Sequence, residues 1–328
     1  RLVAKVREQT GLELPLRALF EHPTVEALGL ILGGVQVTTR DAIIPGEGGQ
    51  GDNRVLSYGQ LRMWTLDRIE GGTASHNMPF AMRLGGSLSV PALELALQDV
   101  VARHEPFRTI IVDDDGNPVG KLRPVEHSET ILVREDLSHL SRQLKDGLIE
   151  QRISEESSRL FDMSRDLLLR AKLLQLEQDD FILILVIHHG AGDGVSLPIF
   201  VRDLGQAYSA RLNACASTFV ELPVTYADHA SWQRRILEES GEIERQLVYY
   251  RESLAQAPEV LTLPTDFVRR ADRNRIASYV PIEISEKTSK SVEELALRYG
   301  TTPFAVLMGM FALLLGRLAR QNSVVLGV

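Results

Sequence analysis

The stretch FILILVIHHGAGDG, residues 181–194, carries more of this chain's organisation than any other. Its first seven residues, 181–187, are apolar without a break. A membrane span needs about 20 such residues, and a strand with one wet face alternates. The run therefore predicts a strand buried on both faces. It stops at His188 and His189, and three glycines follow within five residues, Gly190, Gly192 and Gly194, with Asp193 between the last two. Glycine permits positive φ and close backbone approach, as a tight loop over a ligand requires. Val195, Ile199, Leu204 and Tyr208 then approximate one helical face, which predicts a helix to about Leu212. Two imidazoles and a carboxylate thus sit on a short loop delivered by a rigid strand, a sound mounting for a catalytic base.

Upstream, residues 167–176 predict a strand joined to this one through the acidic turn Glu177-Gln178-Asp179-Asp180. Residues 58–69 predict a helix, and 80–84 a weakly alternating strand. Ser89 caps a helix with Pro91 in its first turn and a buried stripe of Leu93, Leu97, Val100 and Val101. A strand at 108–112 and the hairpin turn Asp115-Gly116-Asn117-Pro118 follow, then a polar surface helix at 141–159. Downstream, helices are expected at 226–239, 243–254 and 291–299, and strands at 278–284 and from 324 to 326. Thr302-Pro303 opens an apolar segment to Leu318, read as a buried core helix because Gly309 and Arg317 interrupt it and it falls short of a span.

The first 35 residues form a small helical piece. Leu2, Val3 and Val6 share a face before Gly11, and Leu14, Leu16, Leu19 and Phe20 cluster. Thr24 caps a helix through Leu28 and Ile31. Six glycines between Gly33 and Gly51, with Thr, Pro and acidic residues among them, mark a linker.

The 328 residues are enough for a large core, and 44% hydrophobic with 24% charged residues is a globular composition. A net charge of −8 gives no electrostatic reason to expect nucleic acid or an anionic membrane as partner. A single cysteine, Cys215, excludes an internal disulfide framework and suits a reducing cytoplasm.

The loop His188-His189-x-x-x-Asp193-Gly194 resembles the signature of nonribosomal peptide synthetase condensation domains and of the wider chloramphenicol-acetyltransferase-like family. Ser57-Tyr58-Gly59-Gln60-Leu61-Arg62-Met63-Trp64 is similar to the first condensation motif, with Gly59 where Ala is usual. Arg103-His104-Glu105-Pro106-Phe107-Arg108-Thr109 is similar to the second, and Tyr226-Ala227-Asp228-His229-Ala230-Ser231-Trp232 to the fourth. Leu263-Pro264-Thr265-Asp266 falls in the usual order, and Phe20-Glu21-His22-Pro23-Thr24-Val25 resembles the closing helices of a peptidyl carrier domain.

The resemblance implies an α/β, two-lobed pseudo-dimer whose second lobe is incomplete, preceded by part of a helical carrier domain. It implies a carrier segment at 1–35, a linker at 36–54, an N-terminal lobe at 55–228 and a truncated C-terminal lobe at 229–328. The implied partners are upstream and downstream carrier domains bearing 4'-phosphopantetheine, and an adjacent adenylation domain. The serine that accepts that arm would lie before Arg1, and no cofactor or metal is expected on the chain itself.

The implied reaction is amide formation between two carrier-bound thioesters, with an L-configured donor, because no second His-His motif stands near Ser57. The resemblance puts His189 at the acceptor amine, as base or as orienting group. An imidazole with the ordinary pKa of about 6.5 can take that proton, and such help is worth roughly 10²–10⁴-fold. His188 is read as fixing the loop from beneath. Asp193 is either a turn former or helix cap, or, by resemblance, the partner of Arg62 in a buried ion pair. Breaking such a pair costs about 3–5 kcal/mol. Gly194 either offers a backbone N–H to a developing oxyanion or serves the turn alone. His104, Glu105, Arg108, Tyr226, Asp228 and Trp232 are read as packing. An epimerisation domain of the same superfamily also carries a doubled His and Asp-Gly-Val-Ser, but fits the first two motifs less well. A catalytically silent domain that recruits enzymes to a carrier is the reading from another class, and intact His189 and Gly194 speak against it. A stand-alone acyltransferase using coenzyme A is opposed by the carrier-like opening residues.

Overall fold

A computed structural model describes residues 2–12, 14, 18–22, 24–34, 42–124, 130–267 and 281–327. It divides into two compact units, Asp41–Glu242 and a second made of Arg1–Arg40 with Ile243–Val328. The opening segment forms α1 (Leu2–Thr10), α2 (Ala18–Glu21) and α3 (Val25–Gly34). Gly11 leaves α1 at φ 69°, and Thr24 caps α3 by accepting from the Ala27 amide at 3.2 Å. Leu16, Pro23 and linker residues 36–41 lie outside the described residues.

The unit Asp41–Glu242 runs β1 (Asn53–Arg54), α4 (Tyr58–Glu70), β2 (Asn77–Gly85), α5 (Val90–Arg103), β3 (Thr109–Asp114), β4 (Asn117–Leu122), β5 (Leu132–Asp136), α6 (Arg142–Ser158), β6 (Leu169–Glu177), β7 (Asp180–His188), α7 (Ser196–Leu212) and α8 (Tyr226–Arg234). The main sheet has the order β2-β7-β6-β5, antiparallel except for the parallel pair β5–β6. A small sheet, β1-β4-β3, turns on Asp115 and Gly116 at φ 50° and 87°. Both turn residues at positive φ make the tight hairpin connection whose twist matches its strands.

The apolar run is the inner strand β7, and its continuity has a direct cause. Phe181, Leu183, Leu185 and Ile187 face a core shared with α5 and α7, while Ile184 and Val186 face a second core with Leu56, Ile111, Phe161, Met163 and Leu174. No face of β7 meets water, so no position alternates to polar. Each such buried aliphatic or aromatic side chain contributes about 1.5–3 kcal/mol relative to exposure. On the first face, Val90, Leu93, Leu97, Val100 and Val101 of α5 form the expected stripe.

Other expectations are corrected. The buried face of α7 is Phe200, Asp203, Leu204 and Ala207, whereas Val195 and Ile199 are exposed, because α5 meets the helix along the Phe200–Ala207 line. None of Gly190, Gly192 and Gly194 has positive φ. The short strands β1 and β5 are additions; β5 buries only Leu132 fully and ends in charge, so it carries little periodic signal.

After α8, which continues as a π-helical turn Arg235–Glu239, come α9 (Glu242–Leu254), α10 (Glu286–Arg298) and α11 (Pro303–Ala319). Ser285 caps α10 and Thr302 caps α11. The segment read as a buried core helix is α11, but none of its residues is buried, and Phe304, Met310 and Phe311 are exposed by more than half. It packs against α10. The expected strand at 278–284 has 278–280 outside the described residues, and 281–284 is not a strand. Residues 324–326 are not a strand either; no neighbouring strand pairs with them among the described residues. No single described helix is long and apolar enough to cross a membrane.

Candidate active site

The β2–β7 ladder places the loop. Asn77 pairs with His188 as the last step of the register, and one residue on, the His189 amide donates to the His76 carbonyl at 2.8 Å. The loop therefore leaves the sheet with its backbone still held. His188 is 2% exposed, edge-on to Phe161 and His76, and its Nδ1 accepts from the Gly190 amide at 3.1 Å. That acceptor role puts the proton of the neutral ring on Nε2. Burial first, then the neighbouring His76, His189 and Arg170, pushes the His188 imidazole down to about 4. A Cβ on Gly190 would sit 3.1 Å from His188 Nδ1 and from Met163 Cε, so a larger residue there would press on this imidazole.

Outside this buried root, His189 is exposed and lines a cavity of about 580 Å³. The cavity gathers segments far apart in sequence. Gly59, Gln60, Arg62 and Met63 come from α4, His104 to Phe107 from the end of α5, Ile199 and Phe200 from α7, and Thr225 and Tyr226 from the start of α8. Three motifs meet the loop in one concavity.

Asp193 and Arg62 both line this cavity, but they do not form the buried ion pair the resemblance implies. The Asp193 carboxylate accepts from the Ser196 amide at 2.9 Å and its hydroxyl at 2.8 Å, while the Asp193 amide donates to Ser196 Oγ at 3.1 Å. These bonds, the Ser196 hydroxyl foremost, hold the Asp193 carboxyl below its usual range. Being exposed and satisfied locally, it acts as the cap and turn former and not as half of a buried pair. Gly194 is exposed, lies outside the cavity lining, and has nothing within 4 Å of an added Cβ.

Residues read as packing are also walls of the site. His104 Nε2 bonds Asp203 Oδ2 at 2.9 Å, and Arg103 and Arg202 reach the same carboxylate at 3.1 and 2.9 Å. Burial would raise Asp203, yet its bonds from Arg202 and His104 outweigh burial and keep it below the usual range. Arg54 grips both Glu105 oxygens at 2.8 and 2.9 Å. The Tyr226 hydroxyl meets Ser57 Oγ at 3.0 Å, and the Tyr226 ring stacks on His229. Sequence reasoning misses Asp203, because its partners Arg103 and His104 lie 100 and 99 residues away in the chain.

A mixed sheet with helices on both faces and a paired-imidazole loop over a cavity is the α/β chloramphenicol-acetyltransferase-like fold. The family model of the condensation domain matches residues 51–328, and the chain belongs to that family. A dimodular nonribosomal peptide synthase of Bacillus subtilis is 33% identical over 100% of the chain, which spans only 14% of that protein's length. The X-domain from teicoplanin biosynthesis superposes with a TM-score of 0.74 at 30% identity, over 84% of this chain and 59% of that one. The first condensation domain of the calcium-dependent antibiotic synthetase, in complex with a substrate analogue, shares the fold with a TM-score of 0.68 at 20% identity, over 84% of this chain and 63% of its own.

Proposed function

We propose that this chain joins two carrier-bound substrates by an amide bond, with His189 as the catalytic imidazole. The observation that carries the reading is the convergence of the first, second and fourth motif segments with the His189 loop on one cavity. Its volume of about 580 Å³ is that of a ligand site, since such sites span about 300–1,000 Å³. Met63, Phe107 and Phe200 offer apolar surface to an acyl group, and His189 offers the polar group.

The donor's 4'-phosphopantetheine arm, carried by an upstream carrier domain, presents an activated thioester carbonyl. The acceptor amine attacks that carbon, the C–N bond forms, the C–S bond breaks, and the thiol leaves with the arm. His189 takes or orients the proton the amine loses, held in place by its bond to the His76 carbonyl. His188 and Asp193 support the loop, and Arg62 forms part of the facing wall. Gly194 is the candidate donor of a backbone N–H to the developing oxyanion. In this reading residues 1–35 are the end of a carrier domain, 36–54 a linker, 55–228 the N-terminal lobe and 229–328 part of the C-terminal lobe. A downstream carrier and an adenylation domain are the other partners, the donor is L-configured, and the setting is cytoplasmic.

A second reading is an enzyme-recruiting module, favoured by the likeness to the teicoplanin X-domain, which a further structure captures in complex with OxyB. The experiment is amide formation by the full-length protein with L- and D-aminoacyl donors, wild type against His189→Ala. The expected result is L-selective product that falls about 10²–10⁴-fold in the variant at an unchanged melting temperature. Unchanged turnover would favour recruitment, and equal rates for both donors would remove the assignment of donor configuration.

A further inference from the structure

A second cavity of about 430 Å³ lies against the first, and the two share Arg103, Glu105, Leu222 and Thr225 as lining. Three of these wall residues are tied by polar bonds. Arg103 Nε reaches Asp203 at 3.1 Å, its Nη1 donates to the Val220 carbonyl at 2.7 Å, and its guanidinium lies 4.6 Å from the Phe219 ring centroid. Glu105 is held by Arg54, and the Thr225 hydroxyl accepts from the Asp228 amide at 3.1 Å. Leu222 differs from them. It sits on an irregular segment between α7 and α8, is 40% exposed, and closes the wall by bulk alone.

We propose that Leu222 is a specificity-determining residue: it partitions the His189 cavity from its neighbour and limits the size of the substrate side chain admitted. A short side chain ends within the first cavity; one that reaches past Leu222 enters the second. The second cavity carries Phe219 and the Ala102 methyl for an aromatic ring, and Ser217, Glu105 and Arg108 for a polar tip. The Arg108 guanidinium is held at that end by its bonds from Nη1 to the Arg123 carbonyl at 2.9 Å and from Nη2 to the Ala102 carbonyl at 3.3 Å. The class of ligand that crosses the wall is therefore an aromatic aminoacyl group with a polar end, such as tyrosyl. This inference rests on the proposed function for the identity of the ligand, but its test reads binding and not turnover.

The full-length protein, wild type and with Leu222→Ala or Leu222→Trp, is titrated calorimetrically with two non-reacting probes, the pantetheine amides of alanine and tyrosine. Alanine truncation is expected to shift the tyrosyl-to-alanyl affinity ratio roughly tenfold toward tyrosyl, the size of effect a few methylenes make in a pocket. Tryptophan is expected to shift it the other way. Equal changes for both probes, or no binding of either, would overturn the assignment; loss of amide formation with the binding ratio still shifted would count against the proposed reaction alone. Leu222 makes no polar bond, so both variants are expected to melt with the wild type.

Discussion

His188 and His189 are adjacent in sequence, yet the root of their loop and its rim stand in different media. At the root, an imidazole is sealed among Phe161, His76 and Met163, its Nδ1 takes a bond from a backbone amide, and a methyl group at position 190 would press on His188 and Met163 at 3.1 Å. At the rim, the second imidazole and Asp193 line the cavity, Gly194 is exposed beside them in sequence, and the carboxylate finds its partner three residues away. One strand end thus makes a rigid, dry mounting and a wet working edge within a few residues. The same residue type can serve as a fixed post or as a proton carrier, and burial decides which.

The sharpest way to break this division is acid. The folded-state His188 pKa of about 4 lies below the ordinary 6.5, so the unfolded chain binds more protons between those values. Its contribution to stability is full above pH 6.5 and is lost as pH falls toward about 4. The loss amounts to roughly 3 kcal/mol. Denaturant melts of the wild type should show that slope, and His188→Asn, which keeps an acceptor for the Gly190 amide, should flatten it. An unaltered slope would mean His188 is not sealed.

Next in size, Gly190→Ala is expected to cost about 1–3 kcal/mol through overpacking against His188 and Met163. Gly194→Ala should stay within about 0.5 kcal/mol, having nothing to strike. Equal costs would erase the contrast between root and rim. Smallest, Asp193→Ala should cost about 1 kcal/mol, the worth of a lost cap. A double-mutant cycle should find its coupling with Ser196 and none with Arg62; coupling to Arg62 would restore the buried pair.

Much of the root was legible because a seven-residue apolar run ending in two histidines has few solutions. The hairpin at Asp115-Gly116 and the caps at Ser89 and Thr24 were equally local, each set by residues within a turn of one another. Motif resemblance picked out the segments without saying that they meet at one cavity. His104, Glu105 and Tyr226 do pack, but they pack with a face toward the site. What periodicity could not carry was tertiary choice. Which stripe of α7 is buried depends on where α5 lies, and Asp193 satisfies itself through Ser196 although a family pattern points to Arg62. The two most apolar stretches make the same point: β7 lies between two cores, whereas α11 rests on α10 and leaves Phe304 and Phe311 exposed. Composition alone did not distinguish them.

The strap formed by residues 42–54 bears on how such chains can be recombined. The Gly48 amide donates to the buried Asp228 carboxylate at 2.8 Å, Arg235 holds Ala42 and Glu47, and any side chain at position 48 would run into the backbone of Ala227 and Asp228. A splice made downstream of Gly48 would strip a donor from a carboxylate shut inside the fold and replace a matched seam with a foreign one. Grafting a new neighbour onto this fold therefore belongs upstream of Ala42, so that the strap travels with the helix it binds.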